Sequence, residues 1–307
     1  MADTDFREGE VKLLDGGTGT ELQKRGVPMK SQAWCGLAAL ENIGVLEDIH
    51  RDYIAAGADI ITTNTYATSR VLLAQDGFGD KFEEINRASI HAAQKVRDSC
   101  GRPGVLVAGS LSHRGPIAAG TARPDSSAAG GLDEMAQAVR ELALLHRDEG
   151  CDLILLEMMY DPIRMPLVFS AAAESGLPIW AGFSARRGKQ GEVLGFGPEK
   201  DIPFADIISI LKEWQVDAAG IMHTSADLVS AALHILRTVF AGPLLAYPDS
   251  GYFKSPHWQF KDVIEPPALR DFAESWVAQG VQVLGGCCGL SPDHIAALKP
   301  LKRAPRS

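Results

Sequence analysis

Near the C-terminal end of the chain two adjacent cysteines sit between glycines, in Gly285-Gly-Cys-Cys-Gly289. Vicinal cysteines rarely close a disulfide on each other, because the ring they would form distorts the backbone. Glycines on both sides let the chain leave strand geometry, so that Cys287 and Cys288 can turn two sulfurs toward one point. That is what a soft metal such as Zn²⁺ requires, with thiolate ligands at about 2.3 Å. Free cysteines also serve as small buried hydrophobes, but the glycine setting favours the metal. The candidate third ligand is His223, in Gly220-Ile-Met-His-Thr-Ser225. A Cys₂His set leaves a fourth position open, the pattern of catalytic zinc.

A second constellation lies near the N-terminus, in Leu14-Asp-Gly-Gly-Thr-Gly-Thr-Glu-Leu22. Its glycines can present backbone N–H groups to an anion. The spacing is not that of a dinucleotide fingerprint, and a carboxylate fits better than a pyrophosphate. Asp15 and Glu157 are candidates to hold an ammonium group. Two acids and an anion-binding loop on one face describe an α-amino acid ligand.

The elements that must position these residues follow from the rest of the chain. Its 307 residues are 46% hydrophobic and 22% charged, proportions that exclude disorder and coiled coil as main themes. A net charge of −9 without a basic cluster argues against nucleic acid as a partner. The polar N-terminus lacks a signal-peptide core, and no run approaches the roughly 20 apolar residues of a membrane span. Five cysteines, an odd set, suit a reducing cytoplasm.

Short apolar runs alternate with amphipathic stretches. Strands are expected at Val11–Leu14, Ile60–Thr63, Val105–Ala108, Leu153–Leu156, Ile179–Phe183, Ala218–Met222, Leu244–Tyr247 and Val281–Leu284. Helices are expected at Gly44–Ala56, Lys81–Arg97, Asp133–Glu149, Pro203–Trp214, Ala226–Thr238 and Pro267–Gln279. Strands this continuously apolar belong to a parallel sheet covered on both faces. The alternation predicts an α/β fold, a (β/α)₈ TIM barrel, as a single domain over 1–307 with loose ends at about 1–10 and 302–307. A doubly wound open sheet is the alternative, because strand counting does not show closure. Asp15, Asn64, Ser110, Glu157, Ser184, His223, Asp249 and the Cys pair each fall just past a candidate strand. In a parallel barrel those positions ring the face that carries active sites.

With these residues assembled, the chain resembles the homocysteine S-methyltransferase family over nearly its whole length. The matching blocks are Asp15–Leu22, Thr63–Tyr66, Gly109–Ser110, the segment ending at Glu157, Gly220–Ser225, Tyr247–Gly251, and Gly285–Gly289 with Ser291–Ile295. The resemblance implies a zinc-dependent (β/α)₈ barrel that methylates homocysteine to methionine. Cys287 and Cys288 would bind zinc, Asp15 and Glu157 would hold the homocysteine amino group, and the glycine loop would receive its carboxylate. The candidate substrate-binding set is Asp15, Gly16, Gly17, Thr18, Asn64, Thr65, Tyr66 and Glu157. No side chain is needed as a chemical catalyst, because zinc deprotonates the substrate thiol.

The family's third zinc cysteine lies in a G-I-N-C block that here reads Gly220-Ile-Met-His223. A neutral imidazole in place of a thiolate makes the site one unit less negative. The substrate thiolate is then held at lower pKa but is less nucleophilic, which suits an activated sulfonium donor. The competing expectation is a diverged member with weak or absent zinc that uses another acceptor or only binds an amino acid. The compact length resembles members that use S-methylmethionine or S-adenosylmethionine. Tyr66, Tyr160, Phe183 and Trp258 are candidates to cage an onium methyl. The Ser110–Gly131 segment departs from the family's usual loop and offers His113 and Arg114 to a donor carboxylate. A metal-dependent lyase or hydrolase would use a His- or carboxylate-rich site, against which the Cys pair argues. The sequence sets no oligomeric state.

Overall fold

Eight apolar runs, each too short to span more than the height of one sheet, become eight parallel strands. The structure, a computed structural model, describes residues 4–304 other than 5, 31, 119–120, 122–130 and 198–199. The first half contains β1 (Lys12–Leu13), α1 (Thr18–Lys24), α2 (Ala38–Glu41), α3 (Ile43–Ala56), β2 (Ile60–Thr62), α4 (Arg70–Gln75), α5 (Phe82–Ser99), β3 (Leu106–Ser112), α6 (Leu132–Asp148) and β4 (Leu153–Met159). Next come α7 (Met165–Ser175), β5 (Ile179–Phe183), β6 (Ala185–Arg187), β7 (Val193–Gly195), α8 (Phe204–Ile208), β8 (Ala218–Ser225) and α9 (Ala226–Leu236). The last part holds β9 (Leu244–Asp249), β10 (Tyr252–Lys254), β11 (His257–Gln259), α10 (Pro266–Ala278), β12 (Val281–Leu284) and α11 (Pro292–Leu298).

The large sheet runs β1-β12-β9-β8-β5-β4-β3-β2. A parallel bridge between Leu14 and Ile60 joins its two ends, closing a (β/α)₈ barrel. Alternation along each strand divides the core in two. Leu106, Ala108, Leu153 and Leu155 point into the barrel with Leu14, Trp180 and Leu245. Val107, Ile154 and Leu156 point out against the helices. Both faces are dry, which is why these strands read as unbroken apolar runs. Phe6 stacks on Trp180 with ring centroids 5.1 Å apart. Lys302 donates to Asp59 at 2.6 Å, so described parts of both expected loose ends are tied down. The remainder of those ends lies outside the described residues. Among the described residues no helix is long and apolar enough to cross a membrane.

All eight expected strands are present, but four run further than expected: β3 to Ser112, β4 to Met159, β8 to Ser225 and β9 to Asp249. Ser110, Glu157, His223 and Asp249 therefore lie in the strand ends and not beyond them. Ladder hydrogen bonds are made by the backbone, so polar side chains at the active rim do not stop them. Two of these extensions are irregular. The β4–β5 register shifts between Leu156 and Met159, and the β8–β9 register between Met222 and Ser225. The hairpins β6–β7 and β10–β11, not foreseen from the sequence, are antiparallel and follow β5 and β9.

Candidate functional site

At the carboxyl ends of the strands one cavity is lined by residues of seven strand ends and their loops, among them Asp15, Asn64, Tyr66, Glu157, His223, Cys287 and Cys288. Local backbone irregularity aims these groups. A bulge inserts an extra residue and re-aims its side chain, and bulges are frequent beside active sites. Glu157 and Met158 occupy the β4 irregularity, with Met158 at φ +56°, and His223 occupies the β8 one at φ +42°. Only four described non-glycine residues have positive φ, and three of them, Trp34, Met158 and His223, line the cavity. Such conformations cost about 1–3 kcal/mol each and persist where the surroundings impose them.

The Cys loop is fixed from three sides. Cys287 N–H donates to Pro248 O at 2.7 Å, Ser250 N–H donates to Cys288 O at 2.9 Å, and Gly289 N–H donates to the Thr20 hydroxyl at 3.1 Å. Gly289 has φ +84°, which turns the chain back toward α11. The two sulfurs end 3.9 Å apart, and Cys287 Sγ lies 3.5 Å from His223 Nδ1. Donor atoms of His223, Cys287 and Cys288 all fall within 4.8 Å of one another. Tetrahedral zinc, with bonds of about 2.3 Å to sulfur and about 2.0 Å to nitrogen, separates its ligands by roughly 3.6–3.8 Å. The Cys287–Cys288 and Cys287–His223 spacings are close to those values. Nε2 of His223 faces Asp249 at 3.7 Å, the carboxylate–histidine arrangement that orients a metal-bound imidazole. Burial pulls the imidazole pKa down, but Asp249 and Cys287 together raise it to about 9. Ligation has to displace that proton, as metal binding does generally.

Asp15 is buried and accepts two hydrogen bonds from Thr62, from N–H at 2.6 Å and from the hydroxyl at 2.9 Å. Burial raises its pKa to about 7 against those bonds, with Glu157 adding to the rise. Glu157 accepts from the Ser110 hydroxyl. Its pKa is also raised to about 7 by burial, against the Ser110 bond and His223. Two carboxyls that ionise reluctantly are ready for a cationic ligand, which would remove the cost of their charge.

Gly16, Gly17 and Thr18 also line the cavity. A Cβ on Gly17 would come within 2.6 Å of Cys287 O, so this glycine lets the first loop lie against the Cys loop. The Gly17 N–H, expected to face an anion, is already used by Leu290 O at 3.0 Å, and the neighbouring Thr18 N–H by Gly16 O at 2.9 Å. The Thr18 hydroxyl, by contrast, is buried and has no hydrogen-bond partner among the described residues. Asn64 is held at both ends by Cys35, accepting from its thiol at 3.0 Å and donating to its carbonyl at 2.9 Å. The Tyr66 hydroxyl donates to Met158 Sδ at 2.9 Å.

Thr65 is placed elsewhere than its neighbours. Its hydroxyl bonds Ser110 O at 2.8 Å, Thr63 Oγ1 at 2.8 Å and His146 Nε2 on α6 at 3.0 Å, behind the cavity wall. Of the four aromatic candidates, Tyr66, Tyr160 and Trp258 line the cavity. Phe183 faces outward instead, stacked on Phe169 with centroids 6.4 Å apart. Sequence reasoning missed Trp34, Cys35 and Tyr247 as lining residues. The Tyr247 hydroxyl is buried without a partner among the described residues, and its phenol is admitted to the barrel because residue 182 is glycine. A polar tip at the end of an apolar strand was the available signal.

Comparison with known proteins agrees with this geometry. Residues 12–301 match the homocysteine S-methyltransferase family. The chain is 29% identical over 307 residues to the homocysteine S-methyltransferase of Escherichia coli (strain K12), covering 94% of each protein. It is 26% identical over 329 residues to a selenocysteine methyltransferase of Astragalus bisulcatus, covering 96% of this chain and 94% of the other. The metallated form of the homocysteine methyltransferase MmuM from Escherichia coli shares the fold with a TM-score of 0.72, at 23% identity, over 96% of this chain and 97% of that one. The chain belongs to the homocysteine S-methyltransferase family and is an S-methyltransferase.

Proposed function

We propose that this protein transfers a methyl group from a sulfonium donor, of the S-methylmethionine or S-adenosylmethionine type, to the thiol of homocysteine, giving methionine. The observation that carries the reading is the nitrogen–sulfur–sulfur set of His223, Cys287 and Cys288, within 4.8 Å of one another, in one cavity with the buried Asp15 and half-buried Glu157 carboxyls. Bound zinc supplies the Lewis acidity that keeps an acceptor thiol deprotonated near neutral pH.

The protein's own groups hold the rest of the amino acid. Asp15 and Glu157 take its ammonium, and the Thr18 hydroxyl takes its carboxylate. Thr62 and Ser110 hold the two acids in place from behind. Asn64, through its two bonds to Cys35, keeps the wall beside them rigid. Trp258, edge-on to His223 with centroids 5.6 Å apart, shields the metal centre from water. Five cysteines free of disulfides and a thiol reaction suit a reducing compartment, so we place the protein in the cytoplasm.

Zinc content and turnover test the reading together. Protein purified under reducing conditions should carry about one zinc per chain and consume homocysteine in the presence of either donor. A wild type that takes up no zinc on reconstitution, or activity that survives complete zinc removal, would instead support a diverged protein with another acceptor.

A further inference from the structure

We propose that Arg114 is the residue that binds the carboxylate of the methyl donor. This rests on the methyl-transfer reading and adds to it the residue that holds the donor. Arg114 follows β3 and lines the cavity. Its backbone N–H donates to Ser112 Oγ at 3.2 Å, and that hydroxyl donates to Tyr66 O at 2.8 Å, which fixes where the side chain starts. Its guanidinium lies over the Tyr66 and Phe253 rings, 5.6 Å from each centroid. Trp34 packs edge-on against both rings, at 6.5 and 6.0 Å.

Rings under a guanidinium hold its plane but leave its N–H edge free to bond in that plane. Here that edge is unsatisfied: Nε and one terminal nitrogen are buried with no hydrogen-bond partner among the described residues. A buried charged donor without an acceptor is costly. The other arginine on the cavity wall, Arg164, has Asp161 at 3.5 Å. Arg114 has aromatic rings where Arg164 has a carboxylate, and a fork of parallel N–H groups matches a carboxylate brought by a ligand. His113 beside it is not a second cation. Its Nε2 accepts Tyr160 N–H at 3.2 Å, and burial lowers its pKa to about 4.

The carboxylate belongs to the donor and not to the acceptor for a reason of placement. The acceptor's ammonium goes to Asp15 and Glu157, and the unpartnered Thr18 hydroxyl three residues from Asp15 is available to its carboxylate. The metal-binding end gathers His223, Cys287 and Cys288 beside Asp249, whereas the Arg114 guanidinium lies over the Tyr66 and Phe253 rings, so a zwitterionic donor spans to the second.

The test is equilibrium binding of S-methylmethionine and of its carboxamide to the zinc-loaded protein, with homocysteine in a separate arm. Wild type should prefer the carboxylate form by about 10–100-fold, the range of a charge-assisted pair. Arg114→Leu should lose that preference, and Arg114→Lys, which keeps the charge without the fork, should retain part of it. Circular dichroism melts of each variant separate a folding defect from a binding one. Equal losses for acid and amide would overturn the proposal, as would an undiminished preference in Arg114→Leu. A collapse of homocysteine binding alone would assign Arg114 to the acceptor and overturn the donor role. A wild type that binds neither homocysteine nor zinc would show the methyl-transfer reading itself to be at fault.

Discussion

Nδ1 of His223 lies 3.5 Å from the sulfur of Cys287, although 64 positions and strand β9 separate the two residues. The contact depends on the irregular end of β8. A regular strand would carry residue 223 at negative φ, whereas it stands at +42°. The imidazole is thereby held between the Cys287 thiol on one nitrogen and Asp249 on the other.

Zinc content therefore depends on both halves of the contact. His223→Ala and Cys287→Ala should each lower zinc affinity by more than about tenfold, and Asp249→Asn by about 10–100-fold through the freed imidazole. His223→Cys should keep the metal. Metal analysis of protein dialysed against a competing chelator reads all four. Zinc retained by His223→Ala would make the histidine a bystander.

Amino-acid binding should rise with pH through neutrality. Asp15 and Glu157 are held near pKa 7 by burial, so below pH 7 both are largely neutral and attract an ammonium weakly. Methionine, which has no thiol to complicate the titration, should bind several-fold more tightly at pH 8 than at pH 6. Asp15→Asn should weaken it by about 10–100-fold at pH 8 and flatten the profile. Calorimetry at both pH values checks this, and a flat wild-type profile would count against the two acids as the ammonium site. The same raised pKa values mean that the folded form binds more protons than the unfolded one between about pH 4 and 7. These two groups thus weaken the fold as pH rises across that window.

Gly17→Ala should destabilise the protein by about 1–3 kcal/mol, because the added Cβ meets Cys287 O at 2.6 Å and Cys288 Cα at 3.1 Å. Zinc affinity should fall with it. Gly44→Ala, in α3 where a Cβ meets nothing within 4 Å, should be neutral or stabilising by about 0.4–1 kcal/mol. Denaturant titrations of the pair separate close approach from a general intolerance of alanine.

Thr65→Val removes three hydrogen bonds behind the cavity wall. A loss of about 1–3 kcal/mol in stability is expected, with KM for both substrates within about twofold of wild type. A large rise in either KM without loss of stability would return Thr65 to the substrate site.

Which parts of this were legible in the linear chain follows from what each depends on. Strand identity depends on local burial, and a strand dry on both faces must be apolar throughout, so all eight runs could be found. The Cys pair and Asp15 carry their chemistry in residue type and in their glycine neighbours. Side-chain direction at the strand ends is different, because it is set by the register with neighbouring strands. Thr65 and Tyr66 share a motif, yet one faces α6 and the other the cavity. Phe183 looked like a site aromatic but is the last residue of a strand whose alternation turns it outward onto Phe169.

The amino-acid sequence by itself determined the eight parallel strands, the metal-binding residue types and the acids, since periodicity and composition are local properties, while closure of the sheet into a barrel depends on the Leu14–Ile60 bridge. Only the tertiary structure decided that His223 reaches Cys287, and that among the described residues the Thr18 and Tyr247 hydroxyls stay unpartnered and Arg114 lies over two rings without a carboxylate. Those outcomes rest on bulges and loop packing between segments far apart in the chain, where the free energy of a side chain's position comes from its partners and not from its own type.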